Sequence, residues 1–455
     1  MAMVKHLVYN IVSITFVLLT TFSTYVEGLS LCSFIPKKNR PKHIRLALRP
    51  TGVTVSWTTD GFANIDDTPS PQVVYGTDQS ALTMTSTTGF TTSYYIIKKF
   101  FHNVYLDNLQ PSTKYYYRIK ASSNCVDESN IYSFMTAPTP GITTEYPVNL
   151  SFVGDLSLDN DFNENQAGKT LLAMQQFRDY SNIFIHTGDI AYADLYGLLV
   201  DFKPYEDTWN TFQNNSQPIS ANVPYQVGPG NHEATCFQYS DAICPSFLRN
   251  FTAYPNRFCM SGDLSGGYKN MWYSFDYGPI HVIMLNTETD FFDAPAGPDT
   301  TLNAGHISQR AKVPWIVATG HRPFYGTGHA IIPPSDNCRS CELAFMPLLS
   351  QYKVDFYFAG HLHWMELLYP LDASGNIVTR NFTSGDGLIH VTDGTGAAPT
   401  GTEKIETNDT ERQAWICNGY GFHQLLIQDS SHAILNFIDS STKTVIKSVD
   451  IVRKR

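Results

Sequence analysis

Residues 183–194 read Ile-Phe-Ile-His-Thr-Gly-Asp-Ile-Ala-Tyr-Ala-Asp, an apolar run that ends at Gly188 and Asp189, with Tyr192 three positions later. A short apolar run that ends at glycine predicts a buried β-strand, and the glycine lets the chain turn sharply after it. A lone Gly-Asp pair usually marks no more than a turn. The pattern therefore becomes informative only if it recurs elsewhere.

The pattern does recur in the second part of the chain. Apolar runs predict strands at 148–153, 183–187, 223–227, 281–286, 313–319, 354–359 and 388–392, and helical spacing predicts helices at 169–180 and around 345–352. This alternation predicts an α/β domain. Five of the strands are followed by residues able to bind metal: Asp155; Asp189 with Tyr192; Asn231 with His232; His321; and His361 with His363. Because the C-terminal strand ends of an α/β sheet meet at one crevice, we expect these side chains to converge.

The first part of the chain has a different pattern of apolar and turn residues. Short runs at 43–48, 53–58, 72–75, 101–106, 114–120 and 132–135, mostly separated by turn residues, predict an antiparallel β-sandwich of fibronectin type III character. Pro138, Pro140 and Gly141 predict a linker. We expect a signal peptide at 1–28, a fibronectin type III-like domain at 29–140, and a catalytic domain at 147–455 that includes C-terminal strands from about residue 380.

The N-terminus predicts secretion. Lys5 and His6 precede an apolar stretch that runs to about Phe22, and Val26 and Gly28 supply small residues for cleavage. An uncleaved anchor is the alternative. No later segment is long enough to span a membrane, so no membrane association is expected after cleavage. Glycosylation sequons agree with secretion at Asn214, Asn250, Asn381 and Asn408; a fifth, Asn149, falls in a predicted buried strand and is expected to be unmodified.

Net charge and cysteine content indicate which partners and which cysteine chemistry to expect. The net charge of −10 argues against a nucleic-acid partner. The eight cysteines of a secreted chain are expected to pair, and Cys32 with Cys125 is one arrangement compatible with the first domain. Cys338 and Cys341 have the spacing of a zinc or redox pair, but the chain has no second such pair and no strand leads into this one, so neither role is favoured.

Taken in order, the five motifs resemble those of the metallophosphoesterase superfamily, and Tyr192 makes the chain similar to the long-form purple acid phosphatases. These carry a fibronectin-like domain before the calcineurin-like metallophosphoesterase domain, in which β-sheets are flanked by helices. The resemblance implies that Asp155, Asp189, Tyr192 and His363 hold a ferric ion. It also implies that Asp189, Asn231, His321 and His361 hold a divalent zinc, manganese or iron ion, with Asp189 as the bridge. His232 and His329 resemble the histidines that orient phosphate and protonate the leaving group.

The chemistry of the side chains agrees with this expectation. Hard oxygen and borderline nitrogen ligands suit iron, manganese or zinc. A trivalent and a divalent ion supply about +5 charges, and the anionic ligands with a bridging hydroxide remove about 4, so the site stays cationic within an acidic protein. A site of this charge is suited to binding a phosphate anion and to supplying a metal-bound hydroxide as nucleophile. The resemblance implies a secreted acid phosphatase that hydrolyses small phosphate monoesters. The resemblance also allows a homodimer.

Three departures from the family pattern keep alternatives open. Ser157 replaces a usual glycine, Ala318 replaces a usual valine, and the segment from Thr287 to Lys312 is shorter than the helix-forming segment of relatives. One alternative is a two-metal phosphoesterase acting on diesters or nucleotides, although such relatives generally lack a tyrosine ligand. The other is a catalytically impaired extracellular binding homologue that keeps the fold.

Overall fold

The computed structural model describes residues 40–60, 71–94, 99–120, 127–141, 146–157, 166–196, 202–236, 244–297, 313–326, 337–384, 387–399, 401 and 411–453. In these ranges no helix combines the length and apolar character needed to cross a membrane. Several predictions fall outside them: the signal peptide, Cys32 and Cys125, His329 and Asn408.

The N-terminal part is β-rich, as the sequence predicts. Its strands pair antiparallel in two four-stranded sheets, with orders β1-β2-β6-β5 and β4-β3-β7-β8. Strands β4 and β5 are short, and the sequence did not predict them. The strands are β1 (Lys42–Arg49), β2 (Gly52–Asp60), β3 (Val73–Gly76), β4 (Met84–Ser86), β5 (Gly89–Thr92), β6 (Lys99–Leu106), β7 (Lys114–Ile119) and β8 (Tyr132–Met135).

The second part contains two seven-stranded sheets, with orders β11-β10-β9-β20-β21-β22-β17 and β12-β13-β14-β15-β18-β16-β19. The rings of Phe152 and Phe358, one from each sheet, stack with centroids 3.7 Å apart, so the sheets pack face to face over an apolar core. The strands are β9 (Val148–Val153), β10 (Ile183–His186), β11 (Tyr225–Val227), β12 (Tyr273–Tyr277), β13 (Ile280–Met284), β14 (Trp315–Gly320), β15 (Phe356–Ala359), β16 (Met365–Leu368), β17 (Thr383–Ser384), β18 (Ile389–Asp393), β19 (Gln413–Cys417), β20 (Gly421–Ile427), β21 (His432–Asp439) and β22 (Thr444–Arg453).

Among the described residues, four α-helices accompany these sheets: α1 (Gln166–Gln176), α2 (Lys203–Ser220), α3 (Ala253–Arg257) and α4 (Arg339–Gln351). The first predicted helix ends earlier than expected and continues as a separate 3-10 turn, Arg178–Tyr180. Helix α4 is longer than expected and accommodates Pro347 within it. Helix α2 was not predicted.

Strand β1 joins the two parts of the molecule. The Ser220 hydroxyl of α2 donates to the backbone carbonyl of Ile44 at 2.9 Å, and the Leu48 backbone N–H donates to the side-chain oxygen of Gln226 at 2.9 Å. From the other sheet, the Tyr117 hydroxyl donates to the Ala221 carbonyl at 2.7 Å. Because buried backbone groups on both sides are satisfied across this junction, the β-rich part is docked against the second part.

The structure also locates the described cysteines and sequons. Cys236 bonds Cys244 and Cys338 bonds Cys341, whereas Cys259 and Cys417 form no disulfide. Asn149 is buried in β9 and its side-chain amide donates to the Tyr180 carbonyl at 2.8 Å, and its lack of modification stays a prediction. The described sequons predicted to be glycosylated are exposed: Asn214, Asn250 and Asn381.

Candidate metal centre

The five motifs follow strands that end at one edge of the two sheets. Strands β9, β10 and β11 are parallel neighbours, and they lead to Asp155, to Asp189 and to Asn231. In the other sheet β14 and β15 are parallel neighbours, and they lead to His321 and His361. Parallel neighbours deliver the residues after their C-terminal ends to the same side, so both sheets contribute to one site.

Tyr192, Asp155 and His363 form the first of two contacting groups. The Tyr192 hydroxyl donates to Asp155 Oδ1 at 2.8 Å and lies 3.0 Å from His363 Nε2. His363 Nε2 is itself 3.3 Å from Asp155 Oδ1. Asp155 is 0% exposed and Tyr192 is 1% exposed. Three potential ligand atoms thus surround one buried point.

His321 lies at the centre of the second group. Its Nε2 is 3.1 Å from Asp189 Oδ2, 3.0 Å from Asn231 Oδ1 and 3.2 Å from His361 Nδ1. The ligand atoms of Asp189, His321 and His361 all lie within 4.8 Å of one another. The backbone N–H of His361 donates to Asp155 Oδ2 at 2.7 Å and so links this group to the first.

Residues that the motif analysis did not single out hold these groups in place. The Glu233 carboxylate accepts from the backbone N–H groups of Asp189, Ile190 and Gly230 at 2.8–2.9 Å. Asp194 lies two positions beyond Tyr192, and both its oxygens are 2.8 Å from His232 Nδ1. A carboxylate so close to the motif of Asp189 and Tyr192 was a signal for an orienting partner, but only the folded geometry connects it to His232.

Two glycines permit the close approach of backbone and ligand. Gly188 has φ +92°, and a methyl group there would overlap the ring of His321. A methyl group at Gly230 would overlap the carboxylate of Asp189. At both positions a side chain would overlap a neighbouring residue. This agrees with the expectation from the sequence that glycine stands there for steric reasons.

The electrostatics of the site favour a highly charged cation. Burial, together with the carboxylates of Asp155 and Asp189, raises the pKa of Tyr192 well above its usual value. A phenolate can therefore exist at this point only beside a strong positive charge. Burial lowers the pKa of His321, but the adjacent Asp189 carboxylate outweighs it and raises the pKa to about 10. The mixed oxygen and nitrogen donors, gathered around buried carboxylates, fit the metal ions expected from the sequence.

His232 lies beside the first group, and its ring is oriented by Asp194, which is not a member of that group. Its ring centroid is 4.1 Å from that of Tyr192, and its Nε2 is 3.7 Å from Asp189 Oδ2. Burial lowers its pKa, but Asp194 and Asp189 outweigh this effect and raise the pKa to about 9. Of the two family departures in described segments, Ala318 is buried in β14 and Ser157 donates its backbone N–H to the Ala397 carbonyl at 3.2 Å.

Comparison with known proteins shows which family the chain resembles. Residues 41–136 match the model of the purple acid phosphatase N-terminal domain, and residues 150–365 match that of calcineurin-like phosphoesterases. Acid phosphatase A of Cryphonectria parasitica is 27% identical, over 90% of this chain and 91% of that protein. Purple acid phosphatase 23 of Arabidopsis thaliana is 30% identical, over 76% of this chain and 79% of that protein.

A solved structure supports the fold independently. A purple acid phosphatase from yellow lupin (Lupinus luteus) seeds superposes with a TM-score of 0.72 at 23% identity, covering 91% of this chain and 75% of that one. The predicted order of a β-rich N-terminal domain followed by an α/β metallophosphoesterase domain is confirmed. The chain is an enzyme of the metallophosphoesterase type and belongs to the purple acid phosphatase family.

Proposed function

We propose that this chain hydrolyses phosphate monoesters at a binuclear centre of Fe(III) and one divalent ion, zinc, manganese or iron. The ferric ion would be held by Asp155, Asp189, Tyr192 and His363, and the divalent ion by Asp189, Asn231, His321 and His361. The observation that carries the proposal is the convergence of the Tyr192 hydroxyl with Asp155 Oδ1 and His363 Nε2. Such a trio has a metal-binding composition, and a tyrosine in it favours the ferric ion.

The metal pair would supply a Lewis-acidic site that binds phosphoryl oxygens and activates water for in-line attack on phosphorus. The chain supplies the rest. His232 is the proposed proton donor to the leaving alkoxide, because Asp194 fixes its Nδ1 and its Nε2 is directed towards the site. His329 stays a prediction for the same step, since it lies outside the described residues.

We also propose the substrates, the location and the assembly of the enzyme. Its substrates would be small phosphate esters, and the chain would be secreted after loss of residues 1–28. Exposed Asn214, Asn250 and Asn381, and the two disulfides seen among the described residues, support an extracellular location. We keep the segments at 29–140 and 147–455 as proposed domain limits and a homodimer as a proposed assembly.

An aryl phosphate assay with the variant Asp189→Ala tests the activity. Loss of the proposed bridging ligand is expected to lower kcat/KM by more than about 100-fold, since even outer-shell partners of a metal typically contribute 10- to 100-fold. Asp179→Ala is the matched control, because Asp179 is exposed and pairs only locally with Arg178. Equal low turnover by the wild type and Asp189→Ala would contradict the activity. Faster hydrolysis of an aryl diester than of the monoester would favour the diesterase alternative.

A further inference from the structure

An arginine and a buried glutamate adjoin the candidate metal centre and have no part in the ligand set. Glu288 follows strand β13 and Arg322 follows strand β14, which are parallel neighbours, so both lie at the sheet edge that carries the site. Arg322 Nε is 2.9 and 3.0 Å from the two Glu288 oxygens. The Glu288 side chain is 0% exposed and that of Arg322 is 13% exposed.

The guanidinium of Arg322 is directed at a candidate metal ligand. Its Nη1 lies 3.0 Å from His361 Nε2, whereas the other ring nitrogen, Nδ1, faces His321 in the second group. Because an imidazole that binds metal through Nδ1 carries its proton on Nε2, His361 would then have no lone pair for Arg322. Nη1 would be left without that acceptor, one imidazole ring away from the metal.

The arginine is also held rigidly. Its backbone N–H donates to the Thr287 hydroxyl at 2.9 Å, and its carbonyl accepts from the Tyr357 hydroxyl at 2.8 Å. With Glu288 fixing Nε, the backbone and the near end of the guanidinium are tied to buried groups. A donor that is already ordered loses little entropy when an acceptor arrives.

We infer that Arg322 is a substrate-binding residue, which donates hydrogen bonds to a phosphoryl oxygen of the ester bound at the metal pair, with Glu288 as its positioning residue. The inference deepens the proposed function and rests on it. A guanidinium suits this role because its planar array of donors matches phosphate oxygens. The negative charge of Glu288 offsets the positive charge of Arg322. Holding Arg322 near the metal cations therefore costs less electrostatic free energy.

Calorimetric titration of the metal-loaded protein with inorganic phosphate tests the inference without turnover. Arg322→Gln is expected to raise the Kd of phosphate by roughly 10- to 100-fold, the effect of losing a charge-assisted hydrogen bond. Arg322→Lys keeps the charge without the fork and is expected to fall between that variant and the wild type. Arg178→Gln is the control, because Arg178 pairs with Asp179 at the surface. Metal content is measured for each protein.

Each outcome decides between roles. A wild-type Kd in Arg322→Gln with its metals retained would overturn the inference, and so would loss of metal in both Arg322 variants, which would make the residue a support for His361. If only Arg322→Gln loses metal, the Arg322→Lys variant becomes the test. A phosphate Kd in Arg322→Lys equal to that of the wild type would then overturn the inference. A wild type that binds phosphate but hydrolyses no ester would defeat the proposed function alone.

Discussion

Four candidate ligands share an unusual backbone conformation. Left-handed φ values cost a non-glycine residue on the order of 1–2 kcal/mol and persist only where surrounding contacts enforce them. Here the enforcing contacts include the Asp155 backbone N–H, which donates to the Gly188 carbonyl at 3.2 Å. The turns after the strands are thus bent towards the site at a conformational cost, and no sequence pattern revealed this. The φ values are 60° for Asp155, 50° for Asp189, 54° for Tyr192 and 70° for His361.

Tyr192→Phe separates the proposed ferric ligand from a structural tyrosine. The variant is expected to lack the visible absorption band that a ferric phenolate gives to the wild type, because the phenolate oxygen is removed while the ring remains. Absorption spectra of purified proteins check this, with iron content measured on the same samples. Tyr180→Phe, at a position that is 74% exposed, is expected to keep the band. A colourless, iron-free and active wild type would contradict the assignment.

At the residue scale, the sequence singled out the candidate ligands but not the residues that support them. Candidate ligands such as Asp189 and His321 are recognisable because each follows an apolar strand run. Glu233 and Arg322 stand beside ligands in the sequence too, but their roles depend on hydrogen bonds to segments far along the chain. Such contacts arise from tertiary packing and leave no local pattern.

At the scale of elements, predictability followed the strength of the local pattern. The buried strands β9 and β10 are continuous apolar runs, and they were placed to within one residue at each end. Strands β4 and β5 are exposed edge segments of three and four residues, so they carry little apolar signal. Helix α2 was missed because Pro204 and Pro218 discourage a helix prediction, although proline is tolerated in a first turn, where Pro204 lies.

Buried neutral histidines should make the strands sensitive to acid, and His423 on β20 is the clearest case. Burial lowers its pKa to about 3, from an ordinary value of 6.5. Below pH 6.5 the unfolded chain takes up a proton that the folded chain refuses, so the free energy of unfolding falls as the pH falls towards 3. This one group should cost about 2 kcal/mol between pH 7 and pH 5. Burial also lowers the pKa of His43, His102, His186 and His390.

Urea unfolding at pH 7 and pH 5 measures this effect. His423→Phe keeps a ring against Phe437, whose centroid is 4.6 Å away, and it is expected to lose about 2 kcal/mol less than the wild type over this interval. His432→Gln, at a more exposed position paired with Asp450, is the control and should follow the wild type. An identical pH dependence in His423→Phe and the wild type would show that His423 does not stay neutral in the fold.

At the scale of the whole molecule, a buried ion pair of the second part binds the hydroxyl of Tyr94 from the N-terminal part. Arg257 of α3 is fully buried, pairs with Glu206 of α2 and donates through Nε to the Tyr94 hydroxyl at 2.8 Å. Arg257→Met is expected to lower the free energy of unfolding by about 3–5 kcal/mol, because it leaves the Glu206 carboxylate buried without its cation.

The double variant Arg257→Met/Glu206→Gln separates a lost charge partner from lost packing. It is expected to be more stable than Arg257→Met, since no uncompensated charge remains. Denaturant unfolding of the single and double variants makes the comparison. A double variant that is less stable than the single one would refute the charge explanation.

The proposed metal centre depends on the fold of the whole second part, because its proposed ligands come from five separated strand ends. Native mass spectrometry with elemental analysis counts the ions that these strand ends hold together. We predict two metal ions per chain, one of them iron, and loss of both in Asp189→Ala. Zero or one ion per chain after saturation with iron and zinc would contradict the account.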